Sequence, residues 1–411
     1  MLYDPSRHEA LDATSWDEAC VRASIEAIVA DTEAHFAPER DWPIHPLDAD
    51  DGAATPLYPL YFGAAGVIWA LRHLEAMGAC RLARAYTDAV EPLVARTREW
   101  QRGFGEDEPA SYLMGECGIA LVRYAMRPDA SVADRIADLV AGNRAHPARE
   151  LMWGAPGTLL AALFMHERTG ETRWGELFRS TAATLWSELR WSDEFRCRYW
   201  TQQLYGTTST YLDAVHGFVA TATPIIHGRH LLDGALWSAW SECIVETLER
   251  TATHEGGLVN WRPWLDWQAR PGKPMLMQYC HGAPGFVVCA GDFPDASLDA
   301  LLLAAGEAIW QAGPLRKGSN LCHGTGGNGY AFLKLFARTG DARWLDRARA
   351  FAMHGIAQMQ AHARQYGRMR YSLWTGDPGL AIYLWDCIDG RAAFPTVDVF
   401  FDGYSNTTRG K

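Results

Sequence analysis

The sequence predicts an all-α protein: a closed (α/α)7 toroid of seven inner and seven outer helices, with residues 1–411 forming one domain. Three observations point there. A Gly-x-x-Gly device returns seven times. An apolar run with few charges follows each copy. A longer amphipathic segment separates each run from the next copy. Internal repetition at this scale marks an architecture of stacked units.

The copies are Gly63-Ala-Ala-Gly66, Gly115-Glu-Cys-Gly118, Gly154-Ala-Pro-Gly157, Gly217-Phe-Val-Ala220, Gly282-Ala-Pro-Gly285, Gly324-Thr-Gly-Gly327 and Gly376-Asp-Pro-Gly379. Ala220 replaces the second glycine of the fourth copy and is expected to weaken it. The runs that follow include Val67–Leu71, Thr158–Phe164, Tyr330–Leu333 and Leu380–Trp385. Apolar residues all round imply helices buried on most faces. Buried strands are the rival reading, but Ala and Leu content, length and the prolines near three of the starts favour helix. The amphipathic segments are Trp16–Phe36, Leu82–Trp100, Ser131–Ala145, Trp174–Trp191, Leu231–Thr253, Ala296–Gly313 and Trp344–Ala363. Alternation of the two kinds is packed most economically as a ring with the apolar helices inside. An open solenoid would need polar caps at its ends. Glycines at the helix starts permit close backbone approach and gather seven partly positive helix N-termini at one end of the ring.

Composition narrows the function classes. Apolar residues make up 48% and charged residues 21% of the chain, which excludes disorder. Lys plus Arg number 38 against 49 Asp plus Glu, a formal charge of −11 with no basic cluster, so neither nucleic acid nor an anionic membrane is an expected partner. No apolar run is long enough to span a bilayer, and the N-terminus lacks the pattern of a signal peptide, so a cytoplasmic protein is expected. In that setting the nine cysteines read as free thiols or metal ligands, and the sequon at Asn406 carries no meaning. Most of the 18 tryptophans are expected in the core, some lining a cavity. Asp48, Asp50 and Asp51 read as a solvated acidic patch. Gly324-Thr-Gly-Gly-Asn-Gly329 matches a dinucleotide fingerprint only formally, because no strand or βαβ unit surrounds it.

Reactive residues stand just before the glycines of three copies: Val215-His216-Gly217, Tyr279-Cys280-His281-Gly282 and Leu321-Cys322-His323-Gly324. In a toroid such positions converge on one mouth. Cysteine and histidine converging in a reducing compartment point to zinc, which favours thiolate and imidazole ligands. Two thiolates and one imidazole leave a position open for substrate. A closed site with His281 as fourth ligand would be structural only, and a lone cysteine here would read as a small buried filler.

These residues resemble the lanthionine synthetase C-like (LanC-like) family. The likeness runs from the Gly63 motif to the Gly376 motif. It is most specific in Cys280-His-Gly-Ala-Pro-Gly285, in Lys317-Gly-Ser-Asn-Leu-Cys-His-Gly324 with Asn328–Leu333, and in Ser372-Leu-Trp-Thr-Gly-Asp-Pro-Gly379. His281 and Lys317 make the likeness closer to the stand-alone branch than to the lantibiotic cyclases.

The resemblance implies a double seven-helix barrel with zinc at its mouth, held by Cys280, Cys322 and His323. It implies addition of a thiol, either glutathione or a peptide cysteine, to dehydroalanine or dehydrobutyrine in a dehydrated peptide or protein, giving a lanthionine-type thioether. It makes His216 the acid/base, puts a carboxylate at Glu150 and places Lys317 and His281 towards the thiol donor. Glu150 alternatively reads as a helix N-terminal glutamate, and Lys317 as a solvated loop lysine. Leu276 and His281 stand where the cyclases carry arginine and tyrosine, which sets peptide cyclisation in doubt. Two other classes remain open at this point: a non-catalytic binder of zinc and glutathione, and an α/α-barrel sugar epimerase or glycosidase.

Overall fold

The computed structural model describes residues 1–49, 56–103, 108–270 and 272–401. Outer and inner helices alternate along the chain. Outer α1 (Glu18–Ala34) leads to inner α2 (Ala64–Ala76). Outer α3 (Thr87–Val90) and α4 (Leu93–Gly103) lead to inner α5 (Glu116–Met126). Outer α6 (Ala130–Asn143) leads to inner α7 (Ala155–Thr169), and outer α8 (Thr172–Ser187) to inner α9 (Phe218–His227). Outer α10 (Gly234–Thr251) leads to inner α11 (Ala283–Ala290), and outer α12 (Asp299–Ala312) to inner α13 (Thr325–Thr339). Outer α14 (Ala342–Tyr366) and inner α15 (Asp377–Asp389) complete the series.

The ring closes. Each inner helix packs on the next, and α15 packs back on α2, while α1 from the start of the chain covers α15. A backbone ladder at the mouth follows the same circle. Tyr61 N–H donates to Leu113 O, Leu113 to Met152, Leu151 to Val215, Cys280 to Cys322, Cys322 to Trp374, and Trp374 back to Tyr61. Four outer helices carry aspartate N-caps, at Asp17, Asp129, Asp233 and Asp341. The inner helices start at the seven motif glycines without a side-chain cap.

Their first N–H groups are instead met by their own entry loops. Thr325, Gly326 and Gly327 donate to the carbonyls of Gly318, Ser319 and Asn320. The gathered helix ends are therefore largely satisfied from within, not open anion sites. This close turn explains the second glycine: a Cβ on Gly327 would stand 1.8 Å from Leu321 O. Gly282 has a further reason, a φ of 116° that side chains rarely adopt. The fourth copy keeps the pattern despite Ala220, whose N–H donates to Asp213 O at 3.3 Å, the same length as the Gly327 bond to Asn320.

Three features depart from the expected ring. The segment Leu82–Trp100 is not one helix; it divides between α3 and α4 at Pro92, which lacks an N–H. Three antiparallel hairpins decorate the loops: β1 (Arg190–Ser192) with β2 (Cys197–Tyr199), β3 (Gln202–Leu204) with β4 (Thr207–Ser209), and β5 (Ala252–Glu255) with β6 (Leu258–Trp261). Tyr205-Gly206 and Gly256-Gly257 turn with positive φ at both residues, the twist that tight hairpins favour. Finally, the interior is filled by the chain's own residues 394–401. Phe394 stacks on Tyr279 at 4.3 Å, and Phe400 lies among Trp69, Tyr112 and Phe164.

A buried charge cluster ties down this segment. Lys334 Nζ lies 2.6 Å from Asp292 and 2.8 Å from Asp398, and His227 Nε2 lies 2.9 Å from Asp292. Burial works against these charges, yet Lys334 holds Asp292 well below the usual carboxylate range, and the two carboxylates hold Lys334 above its own. The ammonium stands where His227, Asp292 and Asp398 would otherwise suit a cation. Lys334→Met should cost about 3 kcal/mol, because it strands the buried Asp398 carboxylate and takes one of two partners from the partly exposed Asp292. Urea unfolding would measure this, and a loss below about 1 kcal/mol would show that the cluster does not anchor the tail. Among the described residues, no helix is long and apolar enough to cross a membrane.

Candidate metal centre and active site

The ladder at the mouth brings the reactive residues together. Cys280 and Cys322 sit at the same place in successive repeats, two residues before the glycine. Cys280 N–H donates to Cys322 O at 3.0 Å, so the ring holds the two sulfurs side by side. His323 follows in the second of these loops, its N–H held by Asn320 Oδ1. The ligand atoms of Cys280, Cys322 and His323 all lie within 4.8 Å of one another. Tetrahedral zinc, at about 2.3 Å from sulfur and about 2.0 Å from nitrogen, suits such a set after a small side-chain adjustment.

Two donors reach the sulfurs from outside the loop tips. Tyr61 Oη donates to Cys322 Sγ at 2.9 Å and Gln278 Nε2 to Cys280 Sγ at 3.0 Å. Arg7, on the N-terminal arm, donates in turn to Gln278. The thiols titrate as a pair. The hydrogen bond from Cys280 holds Cys322 well below the ordinary thiol range, helped by His323 and Tyr61, while the same bond and burial push Cys280 well above it. Metal binding needs both sulfurs deprotonated, so it competes with protons at this pair.

Two carboxylate–histidine dyads stand beside the cluster. Glu150 is fully buried. Its oxygens accept from the N–H groups of Met152 and Trp153, and Oε2 also lies 2.8 Å from His216 Nδ1. Asp213, equally buried, accepts from the N–H groups of Val215 and His216 and lies 2.8 Å from His281 Nδ1. A carboxylate acceptor favours the tautomer with the proton on Nδ1 in each ring. Burial pulls the His216 imidazolium down, but the hydrogen bond and charge of Glu150 outweigh it, with help from Asp213. The net shift is upward. His281 is turned to Asp213 and is not one of the clustered metal-ligand groups.

A basic pocket adjoins the loops of the sixth and seventh repeats. Lys317, Arg368, Arg370, His45 and His362 line it with Asn320, Thr375 and Asp377. Burial pushes Asp377 up to about 6 and pulls His45 down to about 4. Asp48 belongs to this wall and is not solvated as expected from its loop. It pairs with the Arg370 guanidinium and accepts from Thr375, leaving its side chain 12% exposed. Asp50, Asp51 and Asn406 lie outside the described residues.

The structure therefore brings Cys280, Cys322 and His323 together, sets His216 on Glu150, turns His281 to Asp213, and places exposed Lys317 on the basic pocket. Sequence reasoning missed Asp213, Tyr61 and Gln278. Alignment of the repeats carried the signal. Glu150, Asp213, Gln278 and Asn320 each stand four residues before their glycine, and Tyr61 shares the position of Cys280 and Cys322.

Comparison with known proteins bears on the family and on the fold. A glutathione S-transferase LANCL1 from Danio rerio is 36% identical over 132 residues, 31% of this chain and 32% of that protein. The LanC-like protein GCL1 from Arabidopsis thaliana is 31% identical over 145 residues, 32% of this chain and 31% of that protein. The matched stretch thus spans about a third of the length of each relative. Nisin cyclase shares the fold, with a TM-score of 0.64 over 94% of this chain and 98% of its own at 14% identity. The family model described as Lanthionine synthetase C-like protein matches residues 54–399, most of the helical ring, and the chain belongs to that family.

Proposed function

We propose that this protein is a zinc-dependent enzyme that adds a thiol to dehydroalanine or dehydrobutyrine residues, forming a thioether. The observation that carries the reading is the Cys280–Cys322–His323 cluster beside the carboxylate-held His216. Zinc, when bound by these three residues, supplies the Lewis acidity that keeps a substrate thiol deprotonated near neutral pH.

The chain's own residues supply the rest. Tyr61 and Gln278 position the ligand sulfurs. The substrate thiol loses its proton to solvent, and its sulfur forms a bond to the β-carbon of the dehydroamino acid. The π electrons of the double bond move to the α-carbon and its carbonyl. His216 delivers a proton from Nε2 to the α-carbon and regains one from water, so S–H has added across C=C. Glu150 fixes the ring and favours its charged form, which an acid at this position needs.

The basic pocket supports glutathione as donor, with Lys317 and Arg368 offered to its carboxylates. Leu276 and His281, in place of the cyclases' arginine and tyrosine, favour addition between molecules over ring closure within a peptide. Nine free cysteines suit a reducing compartment, and we read the protein as cytoplasmic, acting on dehydrated peptides or proteins.

The test is direct. Purified protein, glutathione and a dehydroalanine peptide should give a mass gain of one glutathione. Chelation should abolish it and zinc should restore it. A zinc-loaded protein without turnover would be a binder, and full activity without zinc would remove the metal from the reaction. His281→Ala should keep about one zinc per chain, because His281 faces Asp213. Loss of metal equal to that of Cys322→Ala would make the site a closed, structural one.

A further inference from the structure

The mouth has a basic side and an aromatic side, the latter with a cation, Arg270, which lies 4.8 Å over the Trp264 ring and pairs with Asp266. On the side of the sixth and seventh repeats lie Lys317, Arg368 and Arg370. On the side of the third to fifth repeats the wall is aromatic. Trp153 stands before Gly154 as His216 stands before Gly217. Its Nε1 donates to Tyr205 Oη at 3.0 Å, and the rings meet edge to face at 6.4 Å. Tyr205 is at the tip of the β3–β4 hairpin and is 68% exposed. Tyr211 packs near the histidines of both dyads. Its ring centre is 5.4 Å from His216, 6.4 Å from His281 and 5.7 Å from Trp264. The two strand-like segments carrying Tyr211 and Trp264 are joined by backbone bonds from Leu212 to Pro263 and from Leu265 to Thr210, so this part of the wall is rigid.

Resting on the addition reading above, we propose that the aromatic wall of Tyr211, Trp264, Trp153 and Tyr205 is the acceptor subsite, which holds the peptide segments flanking the dehydroamino acid. The chemistry forces the juxtaposition. The α-carbon must come to His216, and that carbon bears the peptide chain on both sides. With Tyr211 5.4 Å from the imidazole, the flanking residues pass over its ring. Charge assigns the other partner to the opposite side. A thiol donor with two carboxylates gains from Lys317 and Arg368, Arg370 being paired with Asp48, whereas a peptide segment without net charge loses nothing by leaving them. Aromatic rings bearing an accessible phenol hydroxyl, as on 68% exposed Tyr205, suit such a segment, since they cover apolar side chains and still hydrogen-bond backbone. The subsite favours apolar or aromatic residues beside the dehydroalanine and tolerates many sequences, because ring contacts read shape more than hydrogen-bond pattern.

The test uses the full-length, zinc-loaded protein and two probes. The first is a fluorescent peptide with Phe and Leu beside an alanine in place of dehydroalanine, which binds but cannot react. The second is its reactive dehydroalanine counterpart, compared with a small dehydroalanine amide lacking flanking residues. In Tyr205→Ala/Trp264→Ala the unreactive peptide should bind about 10-fold or more weakly. The KM for the reactive peptide should rise similarly, and its advantage over the small amide should fall. Zinc content, helicity and glutathione affinity should stay at wild-type level. Tyr205→Phe, which keeps the ring, should restore most of the affinity. Unchanged peptide affinity and KM in the double variant would overturn the subsite while leaving the addition reading intact. So would a selective loss of glutathione affinity, or a wild-type dimer that the double variant abolishes without change in peptide binding. Absence of any adduct with wild type would instead overturn the addition reading, and the unreactive peptide would still report on the wall.

Discussion

Cys322→Ala is expected to give a folded, helical protein that has lost most of its zinc and nearly all of its thiol addition. The fold should survive because the ring is held by backbone. Cys280 N–H donates to Cys322 O, and Cys322 N–H donates to Trp374 O; alanine keeps both bonds. The local cost is one small cavity and the stranding of Tyr61 Oη, which donates to the lost sulfur, about 1–3 kcal/mol. A protein with a core this large does not depend on its metal as a zinc finger does. The effect on zinc should be large, because among the described residues three clustered groups face the site and one is gone. Loss of an outer partner commonly costs 10–100-fold in affinity or activity, so loss of a ligand should cost addition at least about 10³-fold. Zinc content by emission spectroscopy, circular dichroism and adduct formation on one preparation check this. Retained zinc with wild-type turnover would sink the metal assignment.

His216→Ala should separate the proton from the metal. Zinc content and glutathione affinity should match wild type, since the imidazole is bound to Glu150 and is not one of the clustered ligands. Glu150 keeps its bonds from Met152 and Trp153, so the loop should hold its shape. Addition to a dehydroalanine peptide should slow by about 10²–10⁴-fold in single turnover, the usual worth of a positioned acid/base. An unchanged rate would make His216 a core histidine satisfied by Glu150. Loss of zinc together with rate would make it a ligand and displace His323 or a cysteine from the set.

The alternation of apolar and amphipathic segments was legible along the whole chain because burial of an inner helix on all faces leaves a compositional mark that a loop cannot imitate. Boundaries came out close: Trp344–Ala363 lies inside α14, and Ser131–Ala145 overlaps all but the first residue of α6. The hairpins were not legible. Their strands hold three or four residues, too few for a period to emerge, although Gly256-Gly257 marks one turn. The tail that fills the barrel was hidden for another reason. Phe394 and Phe400 resemble any apolar residues near a terminus, and only their partners Tyr279, Trp69, Tyr112 and Phe164, far off in sequence, make them core. Lys334 was the available hint, a lysine inside the apolar stretch Phe332–Phe336.

At the candidate site the division falls along the same line. The sequence by itself determined which residue types stand before which glycine, and the sevenfold repeat determined that those positions share one mouth. It could not decide which carboxylate meets which histidine. Glu150 serves His216 of the next repeat and Asp213 serves His281 of the one after, across 66 and 68 residues. Nor could it decide that Tyr61 closes on Cys322, 261 residues away. Those pairings are set by the closed ring, which places neighbouring loops within hydrogen-bond reach for the two dyads and lets Tyr61 reach past the Trp374 loop to Cys322. A repeat fixes the angular position of a side chain; only ring closure and packing fix the few ångströms between it and its partner, and directional bonds are decided over those few ångströms.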